Sequence, residues 1–112
     1  MTNVDYEGRS LRIGDAERDL PGEIEAVRTL ENVIVVRFSP CDPANESCNI
    51  QAFETDGSLR WTVEPTIGPS EDENPYVRIS DREGTLRASD WKGMEYEIDL
   101  ETGDHVDREL RK

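Results

Sequence analysis

Gly84 to Asp107 reads GTLRASDWKGMEYEIDLETGDHVD, and the alternation inside this stretch decides the fold. Met94, Tyr96, Ile98 and Leu100 alternate with Glu95, Glu97 and Asp99. A period of two puts one apolar face inward and one acidic face outward, which is a half-buried strand. At helical spacing the same side chains would scatter around the cylinder. Just before, Leu86 and Ala88 alternate with Arg87 and Ser89, so two strands flank Asp90-Trp91-Lys92-Gly93. That tetrad has turn chemistry. Gly93 accepts a left-handed backbone, and the Asp90 carboxylate can bond back to the turn amides. Glu101-Thr102-Gly103-Asp104 repeats the device one strand later.

Working outward, the same signals recur. Ile24 to Thr29 reads as a strand, Glu31-Asn32 as a tight turn, and Val33 to Phe38 as a central strand buried on both faces, since it is the most apolar, β-branched run. Pro40 stops it, and residues 39–46 are a loop. Cys48 to Phe53 resumes as a strand. Asp56-Gly57 is the strongest hairpin signal, followed by Leu59, Trp61 and Val63 alternating with Arg60 and Thr62. Residues 64–74, rich in proline and acid, form the longest loop and the seam between two halves. Pro75 opens a strand with Val77 and Ile79 on one face, and Glu83-Gly84 turns it into the opening stretch. The last strand runs around His105 to Leu110. Residues 1–22 read as a weakly periodic N-terminal arm: a fraying start over Thr2 to Glu7, a short edge strand at Leu11 and Ile13, and one helical turn at Asp15 to Arg18.

The expected architecture is therefore an all-β antiparallel meander of about eight strands, one domain over residues 1–112. It divides into four-stranded, blade-like halves at 23–63 and 75–110. Phe53 to Gly57 aligns with Asp99 to Gly103 at an offset of 46 residues, the length of one propeller blade.

Ala52 to Trp61 (AFETDGSLRW) resembles the repeat unit of β-propellers of the pyrroloquinoline-quinone dehydrogenase type, with a small or apolar residue, an acidic position, a glycine turn and a Trp strand. Residues 84–93 and 96–103 resemble another such unit, and the chain as a whole is similar to small single-domain all-β proteins that carry such patterns. The resemblance implies a half-propeller or sandwich-like array. Asp107 stands where Trp61 would repeat. A propeller needs at least about four blades and the halves supply two, so no quinone site carries over and no cofactor is expected.

Charge bounds the function. Asp and Glu total 26 against 13 Lys and Arg, a net charge of −13, and Lys92 and Lys112 are the only lysines. This composition resembles that of proteins from salt-in halophilic archaea, whose carboxylates hold hydrated cations where salt screens ordinary repulsion. The rival reading is an acidic face that meets a basic partner or imitates nucleic acid. The acids are spread along the chain rather than clustered, which favours hydration. The charge opposes direct nucleic-acid binding. No apolar run reaches membrane-spanning length and MTNVDYEGRS has no secretory apolar core, so a cytoplasmic location is expected.

No catalytic constellation stands out. His105, the single histidine, is flanked by Asp104 and Asp107 and reads as a surface residue among acids. No serine sits in a nucleophile elbow. Cys41 and Cys48 either staple their loop as a disulfide or remain free thiols; with His105 they fall short of four zinc ligands. The acidic loop Ser70 to Asn74 lacks the spacing of a calcium loop. Trp61 reads as core. Trp91, with Asp90 and Lys92, is the candidate contact for an unknown protein partner, either another protein or a second copy, and the alternative is a ring folded over its own hairpin. The expected function is a non-enzymatic interaction module. An acidic nucleic-acid mimic, or a ligand-binding or catalytic cleft between the halves, are the alternatives.

Overall fold

The computed structural model describes residues 3–39, 49–64, 75–91 and 93–110. No described residue is helical. Among the described residues eleven strands form three antiparallel sheets, each a meander in chain order. The first sheet contains β1 (Val4–Glu7), β2 (Ser10–Ile13) and β3 (Ala16–Asp19). The second contains β4 (Ile24–Leu30), β5 (Val33–Phe38), β6 (Ile50–Phe53) and β7 (Leu59–Thr62). The third contains β8 (Tyr76–Arg82), β9 (Thr85–Asp90), β10 (Met94–Ile98) and β11 (His105–Leu110).

The strand count corrects the expectation of eight, and the difference lies in the first 22 residues. The arm is a three-stranded sheet. Residues Thr2 to Glu7 were expected to fray, yet Val4–Glu7 is β1, and in place of the helical turn expected at Asp15 to Arg18, Asp15 ends a tight turn and the residues from Ala16 on are β3. The reason is local. Gly8 and Gly14 both adopt φ of 59°, a left-handed backbone that closes two-residue hairpins and that few L-residues tolerate. Only β2 sends large apolar side chains inward, Leu11 and Ile13, so the period-two signal is confined to one strand of three.

Strand β5 organises the stack. It lies between β4 and β6 in its sheet and between the other two sheets above and below. Val33 and Val35 face the third sheet, in a cluster with Ile50, Trp61, Tyr76, Leu86, Tyr96 and Ile98. Ile34, Val36 and Phe38 face the first sheet, in a cluster with Leu11, Ile13, Leu20 and Phe53. Alternation on a strand buried from both sides thus feeds two separate cores. Each fully buried aliphatic side chain of this kind contributes about 1.5–3 kcal/mol. The space between the second and third sheets, the proposed seam of the two halves, is filled by these side chains.

The offset of 46 residues has a structural counterpart. Gly57, in the β6–β7 turn, lies against Ala16 of β3; Gly103, in the β10–β11 turn, lies against the ring of Trp61 on β7. In each case the turn between a sheet's last two strands rests on the last strand of the sheet before it. The turns share their internal bonding as well: the Ser58 amide donates to the Asp56 carboxylate (2.9 Å) as the Asp104 amide donates to the Thr102 hydroxyl (3.3 Å). The Ser58 hydroxyl also donates to Asp56 (2.6 Å), and these two bonds hold the Asp56 carboxyl below the ordinary carboxylate range.

The outward faces of the two end sheets are charged. On the third sheet Arg87 pairs with Glu95 (2.9 Å) and Glu97 (3.6 Å). On the first, Asp5, Arg12 and Glu17 align across the strands, with Arg12 3.6 Å from Glu17. They line a shallow groove of about 500 Å³ together with Tyr6, Glu7 and Ser10.

Candidate functional site

The hairpin between β9 and β10 carries the candidate residues. Gly93 takes φ of 94° and its amide bonds the Asp90 carbonyl at 3.2 Å, as the turn chemistry predicts. The Trp91 amide bonds the Pro75 carbonyl at 2.9 Å, tying the turn to the start of β8. With its backbone held, the Trp91 side chain is 71% exposed, the most exposed large apolar group among the described residues. It is not folded over its own hairpin. Val77, in the β8 bulge at the same end of the sheet, is also exposed. Lys92, Cys41 and Cys48 lie outside the described residues.

Asp90 is a correction to the expected contact surface. It is only 2% exposed, so it presents no carboxylate to a partner. One oxygen accepts the Met94 amide at 2.9 Å, and the other accepts the Tyr96 hydroxyl at 2.6 Å. Burying an ion is costly unless hydrogen bonds replace its water, and this one anchors the turn from beneath. The hairpin is therefore a fixed platform with one indole standing on it.

Tyr96 leads into a buried polar cluster. Its ring lies 4.3 Å from the His105 ring, and meets Tyr76 edge-on at 5.5 Å. The His105 side chain is 3% exposed, against the expectation of a surface histidine. The bulge opposite Glu97 and Ile98 turns it inward. Its partners come from far along the chain. The His105 amide donates to Glu64 Oε1 at 3.0 Å, and His105 Nδ1 lies 3.4 Å from Glu64 Oε2. The Tyr76 hydroxyl donates its one proton to the Glu64 carbonyl (2.6 Å), so it accepts from His105 Nε2 (2.7 Å). This places a proton on Nε2.

Asn49 completes the arrangement and had no sequence signal of its own. Fully buried, it accepts from the Tyr76 amide (2.9 Å) and donates to the carbonyls of Tyr76 (2.8 Å) and Phe38 (3.0 Å). Its amide imitates a strand backbone and clips β8 to the second sheet. Trp61, core as expected, donates from Nε1 to the Leu100 carbonyl at 2.8 Å. The bonds of Asn49 to Tyr76, of Trp61 to Leu100, and of Glu64 to Tyr76 and His105 join the second sheet or its exit to the third. They lock the two together, with His105 Nε2 bonded to Tyr76 and Nδ1 lying 3.4 Å from Glu64 Oε2. Among the described residues no group of three His, Cys, Asp or Glu is arranged to hold a metal ion, and no helix is long and apolar enough to cross a membrane.

Three consecutive antiparallel meanders stacked face to face define the class to which this protein belongs: an all-β array of repeated small sheets. The chain matches, over residues 1–110, the sequence profile of the family described as "Domain of unknown function (DUF7957)", and it belongs to that family. No curated protein matches. Among solved structures it is similar in fold to the computationally designed Ika8 protein, at 11% identity and a TM-score of 0.62. The match covers 97% of this chain, which spans 36% of the length of the designed one.

Proposed function

We propose that this chain is a non-enzymatic protein-interaction module of a salt-adapted cytoplasm, with the Trp91 hairpin as its main contact. The observation that carries this reading is an indole left 71% exposed on a turn whose backbone is pinned by a buried carboxylate. Large aromatic side chains on rigid supports lose little entropy on binding and dominate many interfaces. The filled space between the second and third sheets supports a binding role over a catalytic cleft. The acid excess supports salt adaptation, because dispersed carboxylates keep a surface hydrated. The paired glycine contacts at 57 and 103 support reading the four-stranded sheets as blade-like units, and the charged outer faces support an open array.

The test is affinity capture at molar potassium chloride with the wild-type chain and Trp91→Ala. An exposed side chain of this kind alters stability by less than about 0.5 kcal/mol when removed. The expected result is a protein that is lost with the variant and that, once purified, blue-shifts the Trp91 emission of the wild type. Identical partners for both chains would overturn the assignment.

A further inference from the structure

The first sheet has three strands where the other two have four. The turn contacts identify which is missing. β3 receives the glycine turn of the next sheet just as β7 does, so β3 is a last strand, and β1 corresponds to a second strand. The position that no described strand fills is the first, beside β1. In the third sheet that position is filled by β8, which packs against β4. On the first-sheet side β1 ends its sheet, with no further strand paired to it among the described residues.

The chemistry of this edge is specific. The Gly14 amide bonds the Asn3 carbonyl at 2.8 Å, which sets the ladder register, so Asp5 and Glu7 spend their backbone groups on β2 while those of Val4 and Tyr6 point away from it. Val4 is half-buried on the rim of the first core and Val27 of β4 lies on the same rim. Tyr6 is 46% exposed. On the opposite face stand Asp5 and Glu7, at the lip of the groove that Glu17 and, directly across from Asp5, Arg12 also line. A guard is present as well. The Tyr6 amide, one of the outward donors, is held by the Asp5 carboxylate at 2.9 Å. A neutral strand can take over the Tyr6 amide with its own carbonyl, but it offers the displaced Asp5 carboxylate nothing in return. A second copy would place acid against acid on a chain of net charge −13.

We propose that the open edge of β1 takes an extended basic segment of a partner protein as an added strand, with Lys or Arg at alternate positions and apolar residues between. The basic side chains face Asp5 and Glu7, draw the Asp5 carboxylate off the Tyr6 amide, and so free the donor that the incoming carbonyl needs. The intervening apolar side chains cover Val4 and Tyr6. This is strand addition, in which backbone bonds give affinity and alternate side chains give selectivity. The surface is distinct from the Trp91 hairpin, and neither assignment depends on the other.

The probe is a fluorescein-labelled octapeptide alternating valine with arginine, followed by anisotropy. Three comparisons accompany it: the same peptide N-methylated at alternate residues, a valine–glutamate peptide, and the double variant Asp5→Asn/Glu7→Gln, with its fold checked by circular dichroism. The expected result is binding of the unmodified basic peptide only, weakened about tenfold in the double variant, with new exchange protection at the Val4 and Tyr6 amides. Equal binding of the N-methylated peptide would show mere charge attraction and overturn the proposal. Absence of binding, or protection elsewhere than β1, would overturn it too. Trp91→Ala leaves peptide binding unchanged; a loss there would move the peptide to the hairpin and refute the edge, while the capture experiment with Trp91→Ala is read separately.

Discussion

Gly103→Ala tests the sheet-to-sheet contact on which the stack depends. At φ of 79° the new residue sits in the left-handed region, which costs an L-residue about 1–2 kcal/mol. Its methyl carbon would lie 2.6 and 2.7 Å from two atoms of the Trp61 ring. That ring has little freedom to withdraw, because it is buried and its Nε1 is bonded to the Leu100 carbonyl at 2.8 Å. Overpacking against such a group costs about 1–3 kcal/mol. The sum is about 2–5 kcal/mol, a large part of the ~5–15 kcal/mol typical of a domain. Gly84→Ala is the reference, since it has a similar φ of 81° and open space where its Cβ would lie. Subtracting the two leaves the contact alone. Urea unfolding of both variants at fixed salt, followed by far-ultraviolet circular dichroism, gives the difference. If Gly103→Ala costs no more than Gly84→Ala, the turn does not bear on Trp61 and the reasoning fails.

Tyr96→Phe removes the hydroxyl that donates to buried Asp90 at 2.6 Å, and is expected to lower unfolding free energy by about 1.5–3 kcal/mol; an unchanged urea midpoint would contradict that role. Ser58→Ala is expected to raise the Asp56 carboxyl toward its ordinary value of 3.8, read by NMR titration, because the Ser58 hydroxyl is the largest cause of its lowering. The sign follows: a carboxyl lowered in the folded state stabilises above the unfolded value, and that contribution is lost as pH falls through the folded one. The variant should therefore lose less stability across that acidic window than the wild type does. Raising potassium chloride from low to molar concentration is expected to increase the urea midpoint, since salt screens repulsion among an excess of 13 negative charges. A flat response would count against carboxylates serving hydration.

The second and third sheets were legible because β9 and β10 keep strict alternation and most of their hairpins carry a glycine turn, at Gly57, Gly84, Gly93 and Gly103. Val33 to Phe38 declared itself central through its unbroken β-branched run. Of the first sheet only the strand at Leu11 and Ile13 was legible, though it is central rather than an edge, since these are the sheet's only large inward side chains. Trp91 was visible as a turn aromatic, but nothing local reveals that Asp90 beside it is buried; that follows from Tyr96, which reaches it across the hairpin. His105 was misread for a related reason. Its environment is set by Glu64 and Tyr76, 41 and 29 residues away, and by a bulge that shifts the face it shares. Asn49 pairs with a strand 27 residues on, and no pattern in one sequence marks an amide that will replace a peptide group.

The charged outer faces of the first and third sheets bear on how such a molecule can grow. Duplicating an internal sheet would reuse interfaces that already repeat, glycine turn on preceding strand, and would hide no ion. Adding a sheet beyond Arg87, Glu95 and Glu97 would instead take away the water that this half-buried cluster of charges still reaches. Elongation by gene duplication therefore favours the middle of the stack.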